Sequence, residues 1–482
     1  MRALVVDVGS TSLRTAIVEP SGAVTHVQQR ALSVSSPNPG EVELDANEIA
    51  TTALELAAAT ISAGGPCQVV GIANQRATTV VFDVRTGAAV GPALGWQDLR
   101  TVIDCLVLQG SGFRFAPNQS ATKAKWLLEH GSGERSNLRI GTLETFLAFH
   151  LSRRDVFVTD HSNAALTGLI DPRSWSWDEK VLEAINIEPS MLARLVPTMG
   201  SVGPASAVAG SPDITSLVGD QSASLFGQSC LRSGSTKITF GTGAMLDLVS
   251  AGAPENFART AAGCFPVVAR SDAHQVTWGL EGIVLSAGTC IEWLRDDLGL
   301  ISSASETEAL ATSITSSDGV SFVPALLGLG TPQWDFGARG AFFGLTRGSG
   351  RAHLVRAVLE GIAQRGADLI DAASRDTGHA IADVRVDGGM SSNNFLLQHL
   401  ANVSGATVSV SPEREATARG VGLMALVAHG ELSLDDVEAM WHPQRTFEPD
   451  LSADERDALR TTWRGVVARA EKTLPDLSAV SF

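Results

Sequence analysis

The sequence predicts an α/β protein built from two similar domains, and three observations support this fold class. Short β-branched runs alternate with segments whose apolar residues have helical spacing. A strand, a turn rich in glycine and hydroxyl residues, and a second strand occur near the start of the chain and again near its middle. The 482 residues are enough for two or three domains of ordinary size. We therefore predict a boundary near Leu231, with residues 1–230 and 231–482 as the two domains.

The first domain opens with a predicted antiparallel meander, which is followed by a helix and further strands. Asn47–Ile61 carries apolar residues at helical spacing. β-branched runs bounded by turn residues predict the strands Ala3–Val8, Leu13–Glu19, Val24–Gln29, Gln68–Ala73 and Thr79–Asp83. Because strands and helices alternate, we expect a mixed sheet covered by helices.

The second domain repeats the opening pattern of the first. Its predicted elements are the strands Lys237–Phe240, Leu246–Val249 and Asp383–Val386 and the helices Gly282–Leu298 and Ala352–Ala373. A loop-rich region is expected between residues 323 and 346. Only the order of strand, turn and strand is shared with the first domain.

Composition and charge exclude several classes of partner. The formal net charge of −16 opposes the broad positive footprint that nucleic acid requires. Apolar stretches such as Val421–Val427 are too short to span a bilayer, and the N-terminal residues show no export signal. The five cysteines are scattered without a CxxC spacing, which is typical of reduced thiols in the cytoplasm. We expect a cytoplasmic protein without nucleic-acid or membrane partners, and a homo-oligomer stays open.

Two turns are candidate phosphate sites. Asp7–Ser12 ends a strand in a carboxylate and continues as a bend whose N–H groups and hydroxyls can face phosphate oxygens, and Arg14 adds a charged donor. Gly241–Gly243 has the same character in the second half. The alternative for the first turn is a plain hairpin, and no Gly-Lys-Ser/Thr follows it, so it is not a Walker loop. Two such turns at equivalent places favour a nucleotide between the two halves.

A third glycine-rich segment, Asp387–Asn393, follows the predicted strand that begins at Asp383. Its paired glycines would let a flat ring approach the backbone closely, and Asn393 is a candidate hydrogen-bond partner for that ring. The alternative is a tight turn between a strand and a helix.

Three further side chains are candidates for the chemistry of an acceptor hydroxyl. Asp220 follows an apolar strand and precedes small residues, so it is either a proton acceptor or the N-cap of a helix. Arg76 is either a ligand of a hydroxyl or the partner of a surface acid. Trp96 is either a platform for a ligand or a core residue.

Together these segments resemble the FGGY carbohydrate kinases, and within that family the glycerol kinases most closely. The resemblance covers almost the whole chain through the ordered motifs Asp7–Arg14, Gly71–Arg76, Gly219–Gly227, Gly241–Gly243, Phe322–Ala325, Gly344–Gly348, His353–Gly361 and Asp387–Asn393. It implies two ribonuclease-H-like domains of the actin, hexokinase and Hsp70 type that flank a central cleft. It also implies phosphorylation of a hydroxyl of a small polyol or sugar, with ATP as co-substrate and Mg²⁺ as cofactor.

The resemblance also implies a role for each matching residue. Asp7 and Asp220 would hold Mg²⁺, and Asp220 would also be the general base for the acceptor hydroxyl. The residues that would contact phosphate are Thr11, Ser12 and Arg14 from the first domain and Gly241 and Thr242 from the second. The residues that would line the adenosine pocket are Gly288, Ile291, Glu292, Gly389 and Asn393. Phosphoryl transfer needs mainly alignment and charge neutralisation, so no covalent nucleophile is required.

The acceptor site is where the sequence departs from the glycerol kinases. The residues expected there are Arg76, Ala77, Trp96, Asn118, Asp220, Gln221 and Met245. Ala77, Asn118 and Met245 stand where glycerol kinases have a glutamate, a tyrosine and a phenylalanine. Each unpaired substrate hydroxyl costs about 1–3 kcal/mol, and Ala77 leaves space. We therefore predict a kinase for a small polyol or sugar with an altered acceptor pocket, and the alternative is a kinase for a longer polyol or a ketopentose rather than glycerol.

A non-catalytic ATP-binding regulator on the same fold is the alternative of a different class, and a filament-forming relative of actin is a more remote one. The presence of Asp220 argues against both, because a protein that only binds a nucleotide needs no base beside the acceptor.

Overall fold

The computed structural model describes residues 1–413 and 415–480. The strands of its first half are β1 (Ala3–Val8), β2 (Ser12–Val18), β3 (Val24–Ala31), β4 (Val34–Ser35), β5 (Glu43–Leu44), β6 (Val69–Asn74), β7 (Thr79–Asp83), β8 (Ala93–Leu94), β9 (Leu138–Thr142), β10 (Val158–Asp160), β11 (Ile170–Asp171), β12 (Ser176–Trp177), β13 (Arg194–Val196), β14 (Met199–Pro204) and β15 (Asp213–Gly219). The helices of this half are α1 (Ala46–Gly64), α2 (Val102–Gly110), α3 (Ser120–His130), α4 (Leu143–Leu151), α5 (His161–Ala164), α6 (Glu179–Ala184) and α7 (Asp220–Gly227).

The main sheet of this half has six strands in the order β14-β15-β6-β1-β2-β3. Strand β1 is antiparallel to β2 and parallel to β6, and β6 is parallel to β15. Every side chain of β1 is buried, as expected for a central strand covered on both faces. Val8 and Gly219 both pair with Asn74, so β1, β6 and β15 end at the same edge of the sheet. This register brings the residues that follow these strands close together.

The second half contributes nine strands and eight helices. Its strands are β16 (Thr236–Phe240), β17 (Ala244–Val249), β18 (Phe265–Ser271), β19 (Val276–Val284), β20 (Ser321–Val323), β21 (Ala341–Phe343), β22 (Asp383–Asp387), β23 (Thr407–Val410) and β24 (Arg445–Phe447). Its helices are α8 (Gly288–Asp296), α9 (Glu306–Thr312), α10 (Arg351–Thr377), α11 (Asn394–Ser404), α12 (Ala416–His429), α13 (Leu434–Ala439), α14 (Ala453–Ala470) and α15 (Pro475–Ser478). These counts refer to residues 1–413 and 415–480.

The main sheet of the second half repeats the plan of the first. Its seven strands have the order β18-β19-β17-β16-β22-β23-β24. The run β19-β17-β16-β22-β23 has two antiparallel pairs and then two parallel pairs, and so has the run β3-β2-β1-β6-β15. The predicted α/β class and the predicted duplication are thus confirmed at the level of strand topology.

One of the predicted elements is wrong in its boundaries. The helix predicted over Gly282–Leu298 begins at Gly288, because the residues before it belong to a strand. Gly282–Val284 complete β19, which pairs with β17 from Gly279 to Val284. Apolar residues that lie on a central strand satisfy a helical spacing over so short a stretch, and only the pairing with β17 distinguishes the two states.

Helix α12 belongs to the second half of the chain but packs on the first sheet. Its side chains, among them Val421 and Met424, share a core with Val5 and Val69 of β1 and β6. It also lies directly against α7, and a Cβ at Gly420 would overlap the carbonyl oxygen of Ala223. The boundary between residues 230 and 231 stays a prediction, and the chain returns to the first sheet beyond it.

The structure contains no helix, within its described ranges, with the length and apolar content that a membrane span requires. All five cysteines are free and buried.

Candidate active site

The first predicted phosphate turn joins β1 to β2. The N–H of Gly9 donates to the carbonyl of Ser12 over 2.9 Å and closes the turn. Thr11 is exposed at its tip, whereas Ser12 is buried. Trp96 is half-buried, and its Nε1 donates to Oγ of Ser10 over 3.2 Å. The structure thus brings Trp96, which was predicted at the acceptor site, into contact with the turn.

Asp7 and Arg14 face each other across this strand pair. Nη1 of Arg14 lies 3.9 Å from Oδ2 of Asp7 and 2.9 Å from Oε2 of Glu415, which precedes α12. Burial raises the pKa of Asp7 to about 7; Arg14 opposes this shift, and the neighbouring carboxylates of Asp220 and Glu415 add to it. Asp7 and Asp220 are therefore close enough to influence each other's charge, and their predicted role as metal ligands stays a prediction.

Asp220 is the first residue of α7, and Gly219 is the N-cap. The alternative assignment of Asp220 as the N-cap is therefore not what the structure shows. The N–H of Gly219 donates to Oγ of Ser162 over 2.8 Å, and this hydroxyl donates to Oδ2 of Asp160 over 2.5 Å. Asp160 and Ser162 are both buried. The backbone that carries Asp220 is thus held by buried hydrogen bonds, and Oδ1 of its carboxylate accepts from the N–H of Gln221 over 2.8 Å.

Five charged side chains from the two sheets form what we call the ionic cluster, namely Arg76, Asp220, Lys237, Asp247 and Glu281. Nε of Arg76 lies 3.4 Å from Oδ1 of Asp220, and its Nη2 lies 2.5 Å from Oε2 of Glu281. Nζ of Lys237 lies 2.8 Å from Oδ2 of Asp247. Since Arg76 and Asp220 belong to the first half and the other three to the second, the ionic cluster joins the two domains.

Burial dominates the protonation equilibria within the ionic cluster. It raises the pKa of Asp220, and it raises that of Glu281 to about 7, while Arg76 opposes the shift in both. For Lys237 burial alone would lower the pKa, but the carboxylates of Asp247 and Asp387 outweigh burial and raise it. Buried groups with such shifts are typical of functional sites.

The second predicted phosphate turn lies between two of the segments predicted to line the adenosine pocket. Gly241 and Thr242 are exposed, and the N–H of Gly288 donates to the carbonyl of Gly241 over 2.9 Å. On the other side, Gly388 has φ +88°, and a Cβ there would overlap the backbone of Phe240. Glycine is therefore needed where the third glycine-rich segment passes this turn.

The remaining adenosine candidates are less clearly assembled. Ile291 is buried in the core of the second half, whereas Glu292 and Gly389 are exposed. Oδ1 of Asn393 accepts from the N–H of Leu396 over 2.9 Å, and its Nδ2 donates to a threonine hydroxyl over 3.0 Å. Both polar ends of Asn393 are thus engaged within the protein, and the adenosine roles of these residues stay predictions.

Two of the predicted acceptor residues adjoin the ionic cluster. Oε1 of Gln221 accepts from Nζ of Lys237 over 2.7 Å. Met245 pairs with Thr239 in the sheet and lies two residues before Asp247, so both side chains point to the same face. Gln221 thus contacts Lys237 of the ionic cluster and Met245 shares a strand face with Asp247, and the acceptor roles of both stay predictions.

Two further acceptor residues, Ala77 and Asn118, share one hydrogen-bond donor. Ala77 is buried and has φ +58°, whereas Asn118 is exposed. Their carbonyl oxygens both accept from Nζ of Lys123, at 3.3 Å and 3.1 Å. The structure thus places Ala77 and Asn118 beside each other although 41 residues separate them in the chain.

The carboxylates of this site fit a magnesium ion that also contacts a substrate. No group of three or more His, Cys, Asp and Glu side chains positioned for a metal is found in residues 1–413 and 415–480. Mg²⁺ is commonly bound by one or two carboxylates, water and substrate phosphates, and Asp7 and Asp220 supply such a pair. The raised pKa of Asp7 reflects, after burial, a repulsion by Asp220 that a cation would relieve.

Sequence reasoning missed several charged residues of this site. Lys237, Asp247 and Glu281 each stand alone within an apolar strand, and a charge buried in a sheet requires a partner, so this pattern could have revealed them. Glu415 carried no such signal, because it lies 401 residues from Arg14 in the chain.

A repeated α/β plan with glycine-rich turns after equivalent strands, and with carboxylates where the two domains meet, defines a nucleotide-dependent phosphotransferase. The family comparison narrows this class. Residues 2–227 match the N-terminal domain of the FGGY family of carbohydrate kinases, and residues 236–429 match its C-terminal domain. The chain belongs to the FGGY family of carbohydrate kinases.

Among its relatives are several glycerol kinases. The glycerol kinase of Halorhodospira halophila is 38% identical in an alignment that covers 97% of this chain and 96% of that protein. The glycerol kinase of Aromatoleum aromaticum is 37% identical in an alignment that covers 97% of this chain and 98% of that protein. The crystal structure of Plasmodium falciparum glycerol kinase with ADP has a TM-score of 0.90 at 26% identity and covers 100% of this chain and 99% of that one. A ligand-bound xylulose kinase from Lactobacillus acidophilus, at 19% identity, covers 99% of both chains with a TM-score of 0.86 and supports the fold alone.

These comparisons confirm the predicted ribonuclease-H-like architecture and the predicted enzyme class. The chain is a glycerol-kinase-like carbohydrate kinase that phosphorylates an alcohol group, and the family implies ATP as co-substrate. The relatives give no support to the alternative of a non-catalytic regulator.

Proposed function

We propose that this kinase transfers the γ-phosphoryl group of ATP to a hydroxyl of a small polyol or sugar longer than glycerol. The observation that carries the proposal is the placement of Asp220, whose Oδ1 lies 3.4 Å from Nε of Arg76. Beside that arginine the chain has Ala77, which offers no side-chain acceptor. The site thus combines a candidate general base with a neighbouring residue whose side chain cannot accept a hydrogen bond from a substrate hydroxyl.

Asp220 acts as the general base in this proposal. As the acceptor oxygen bonds to the γ-phosphorus, its proton passes to the Asp220 carboxylate, and the bond from phosphorus to the bridging oxygen breaks and releases ADP. Arg76 lowers the pKa of Asp220 against the effect of burial and so favours the ionised base. The arginine also orients the carboxylate through the same contact.

The phosphates would lie between the two turns. Thr11, Ser12 and Arg14 would contact them from the first domain, and the backbone of Gly241 and Thr242 would contact them from the second. Mg²⁺, held by Asp7 and Asp220, would neutralise charge on the phosphates. Gly288 and Gly388 border the second turn, which supports an adenosine pocket on that side with Gly288, Ile291, Glu292, Gly389 and Asn393 as its proposed lining.

The altered acceptor pocket rests on three positions. A glutamate at position 77 would accept from a substrate hydroxyl, and an alanine does not. Asn118 and Met245 likewise replace a tyrosine and a phenylalanine of the glycerol kinases. Ala77 frees the volume of a carboxylate side chain, which a fourth or fifth carbon of a polyol or ketopentose would occupy.

We further propose a cytoplasmic location, since five free and buried cysteines suit a reducing compartment. The net charge of −16 supports the absence of a nucleic-acid partner. A homo-oligomer remains compatible with this function.

A coupled ADP-release assay over glycerol, tetritols, pentitols and ketopentoses tests the proposal. We expect the highest kcat/KM for an acceptor of four or five carbons, and Asp220→Asn as the control should lower kcat by about 10²-fold or more for every acceptor. If glycerol has the highest kcat/KM, the altered pocket is rejected and the kinase chemistry stands. If no acceptor raises ADP production above the ATPase background, the kinase proposal fails and the regulator is favoured.

A further inference from the structure

Lys123 of α3 is completely buried, and its ammonium contacts three backbone carbonyls. Its Nζ donates to Gly95 over 2.7 Å, to Asn118 over 3.1 Å and to Ala77 over 3.3 Å. The side chain is 0% exposed. No carboxylate of the described residues lies within ion-pair distance of Lys123. Burial lowers its pKa from 10.5 to about 7, and the charges of Asp98 and Cys105 oppose this shift.

A buried ammonium costs free energy unless its donors are satisfied. A lysine ammonium has three N–H donors, and here three carbonyl oxygens use all of them. Charge-assisted hydrogen bonds are stronger than neutral ones, so the protonated side chain and the three carbonyls hold one another in place. Lys123 therefore connects three separate backbone segments through its hydrogen bonds.

Each of these segments carries a residue predicted at the acceptor site. Ala77 and Asn118 are such residues themselves, and Gly95 immediately precedes Trp96. Ala77 also has φ +58°. This left-handed conformation is unfavourable for a residue that has a side chain, so the surrounding structure must support it. The carbonyl of that strained residue accepts from Lys123.

We propose that Lys123 is a positioning residue that sets the shape of the acceptor site by holding the backbone of Ala77, Gly95 and Asn118 in one arrangement. Lys123 contacts neither ATP nor the reacting atoms, and it acts through these three backbone segments. The proposal rests on the proposed function, because it takes the acceptor site to lie at Ala77, Trp96 and Asn118.

The chain offers a matched control on the same helix. Lys125 lies two residues further along α3, is partly exposed, and forms ion pairs with Asp104 and Glu129 at 2.9 Å and 3.0 Å. Lys123→Met and Lys125→Met thus make the same substitution two residues apart on one helix and keep a similar side-chain length. Only Lys123→Met removes the hydrogen-bond donor from the backbone carbonyls of Ala77, Gly95 and Asn118.

The first measurement is steady-state kinetics with the acceptor that the screen identifies. For Lys123→Met we expect KM for the acceptor to rise by about 10-fold or more and KM for ATP to stay within about 2-fold, because the phosphate turns keep their contacts. Lys125→Met should leave both constants unchanged. A parallel rise of both KM values in Lys123→Met would indicate a general loss of structure and would overturn the proposal.

The second measurement is hydrogen exchange of the full-length protein without ligands, which does not depend on activity. Amides of residues 93–99 and 113–119 should exchange faster in Lys123→Met than in the wild type, while those of β16 and α7 should not. Unchanged exchange in the two segments overturns the proposed role of Lys123, whatever the enzyme phosphorylates. Faster exchange there, together with an unaltered acceptor KM, supports the hold on the backbone but refutes the location of the acceptor site.

Discussion

Arg76 and Glu281 form an ion pair that runs from the first domain to the second, with Nη2 of the arginine 2.5 Å from Oε2 of the glutamate. The side chains are 11% and 6% exposed, so water and salt screen the pair little. The same guanidinium lies 3.4 Å from Asp220. The position of the candidate base is therefore coupled to both domains.

The first prediction concerns this ion pair and pH. The folded protein raises the pKa of Glu281 from its ordinary value of 4.5 to about 7, mainly through burial. Between these pH values the folded chain holds a proton that the unfolded chain has lost, so the wild type loses stability as the pH rises through this window. Glu281→Gln cannot bind this proton, so its stability lacks this dependence on pH. The stability of the variant relative to the wild type should therefore increase between about pH 5 and pH 8.

Denaturant unfolding at the two pH values measures this difference. Glu55→Gln is the control, because Glu55 is exposed and its carboxylate stays in water. A difference between the wild type and Glu281→Gln that does not vary with pH, or an equal change in Glu55→Gln, would refute the prediction.

The second prediction tests the base. Asp220→Asn keeps the shape of the side chain but cannot accept the proton, so kcat should fall by about 10²-fold or more. The affinity for ATP should change much less, because the second turn and its neighbours Gly288 and Gly388 are untouched. Single-turnover kinetics and ATP titration measure the two effects. Asp213→Asn, at the other end of β15, is the control, and near-normal turnover of Asp220→Asn would remove this residue from the mechanism.

The third prediction concerns acceptor choice at Ala77. Ala77→Glu restores a carboxylate beside Arg76, so turnover of glycerol should rise. The same side chain fills the space assigned to a longer acceptor, whose transition-state binding should weaken by about 1–3 kcal/mol. Ala77→Gln separates charge from volume, since it adds a side chain of the same size without the negative charge. Measurement of kcat/KM for glycerol and for the preferred acceptor compares the three proteins.

If Ala77→Glu raises the activity with glycerol and lowers the activity with the preferred acceptor, residue 77 determines which acceptor the pocket binds. If glycerol is already the preferred acceptor of the wild type and Ala77→Glu alters neither activity, Ala77 does not determine specificity. Because φ at this position is +58°, a thermal unfolding curve of each variant must accompany the kinetics.

The fourth prediction is closure of the cleft. Phosphate contacts are proposed on both domains, at Thr11–Arg14 and at Gly241–Thr242, so bound ATP and acceptor should favour the closed arrangement. Small-angle scattering should show a smaller radius of gyration with both ligands than without them. An unchanged radius under saturation with nucleotide and a verified acceptor would argue against a hinge.

Local patterns in the sequence predicted the α/β class and several strands of the two main sheets. Ala3–Val8 and Thr79–Asp83 are strands with the predicted boundaries, because alternation and β-branching act over a few residues. The family followed from motifs that each occupy one short segment. The boundary of α8 was wrong, since Gly282–Val284 became a strand only through pairing with β17.

Only part of the candidate site was predicted, because only some of its residues belong to local motifs. Asp7, Arg14, Arg76 and Asp220 stand at turns or strand ends, where a local motif marks them. Glu415 was not found, because its contact with Arg14 depends on the return of α12 to the first sheet. Lys123 was part of a motif, but its three carbonyl partners could not be identified from the sequence.

By itself the sequence determined the strands, the turns and the family of this protein, because those properties depend on residues that are neighbours in the chain. Only the tertiary structure decided which buried charges meet. Arg76 and Glu281 are 205 residues apart, and each could have paired with several other charges. The mutual placement of the two sheets selected one arrangement, since a buried charge is tolerated only where the fold brings it a partner.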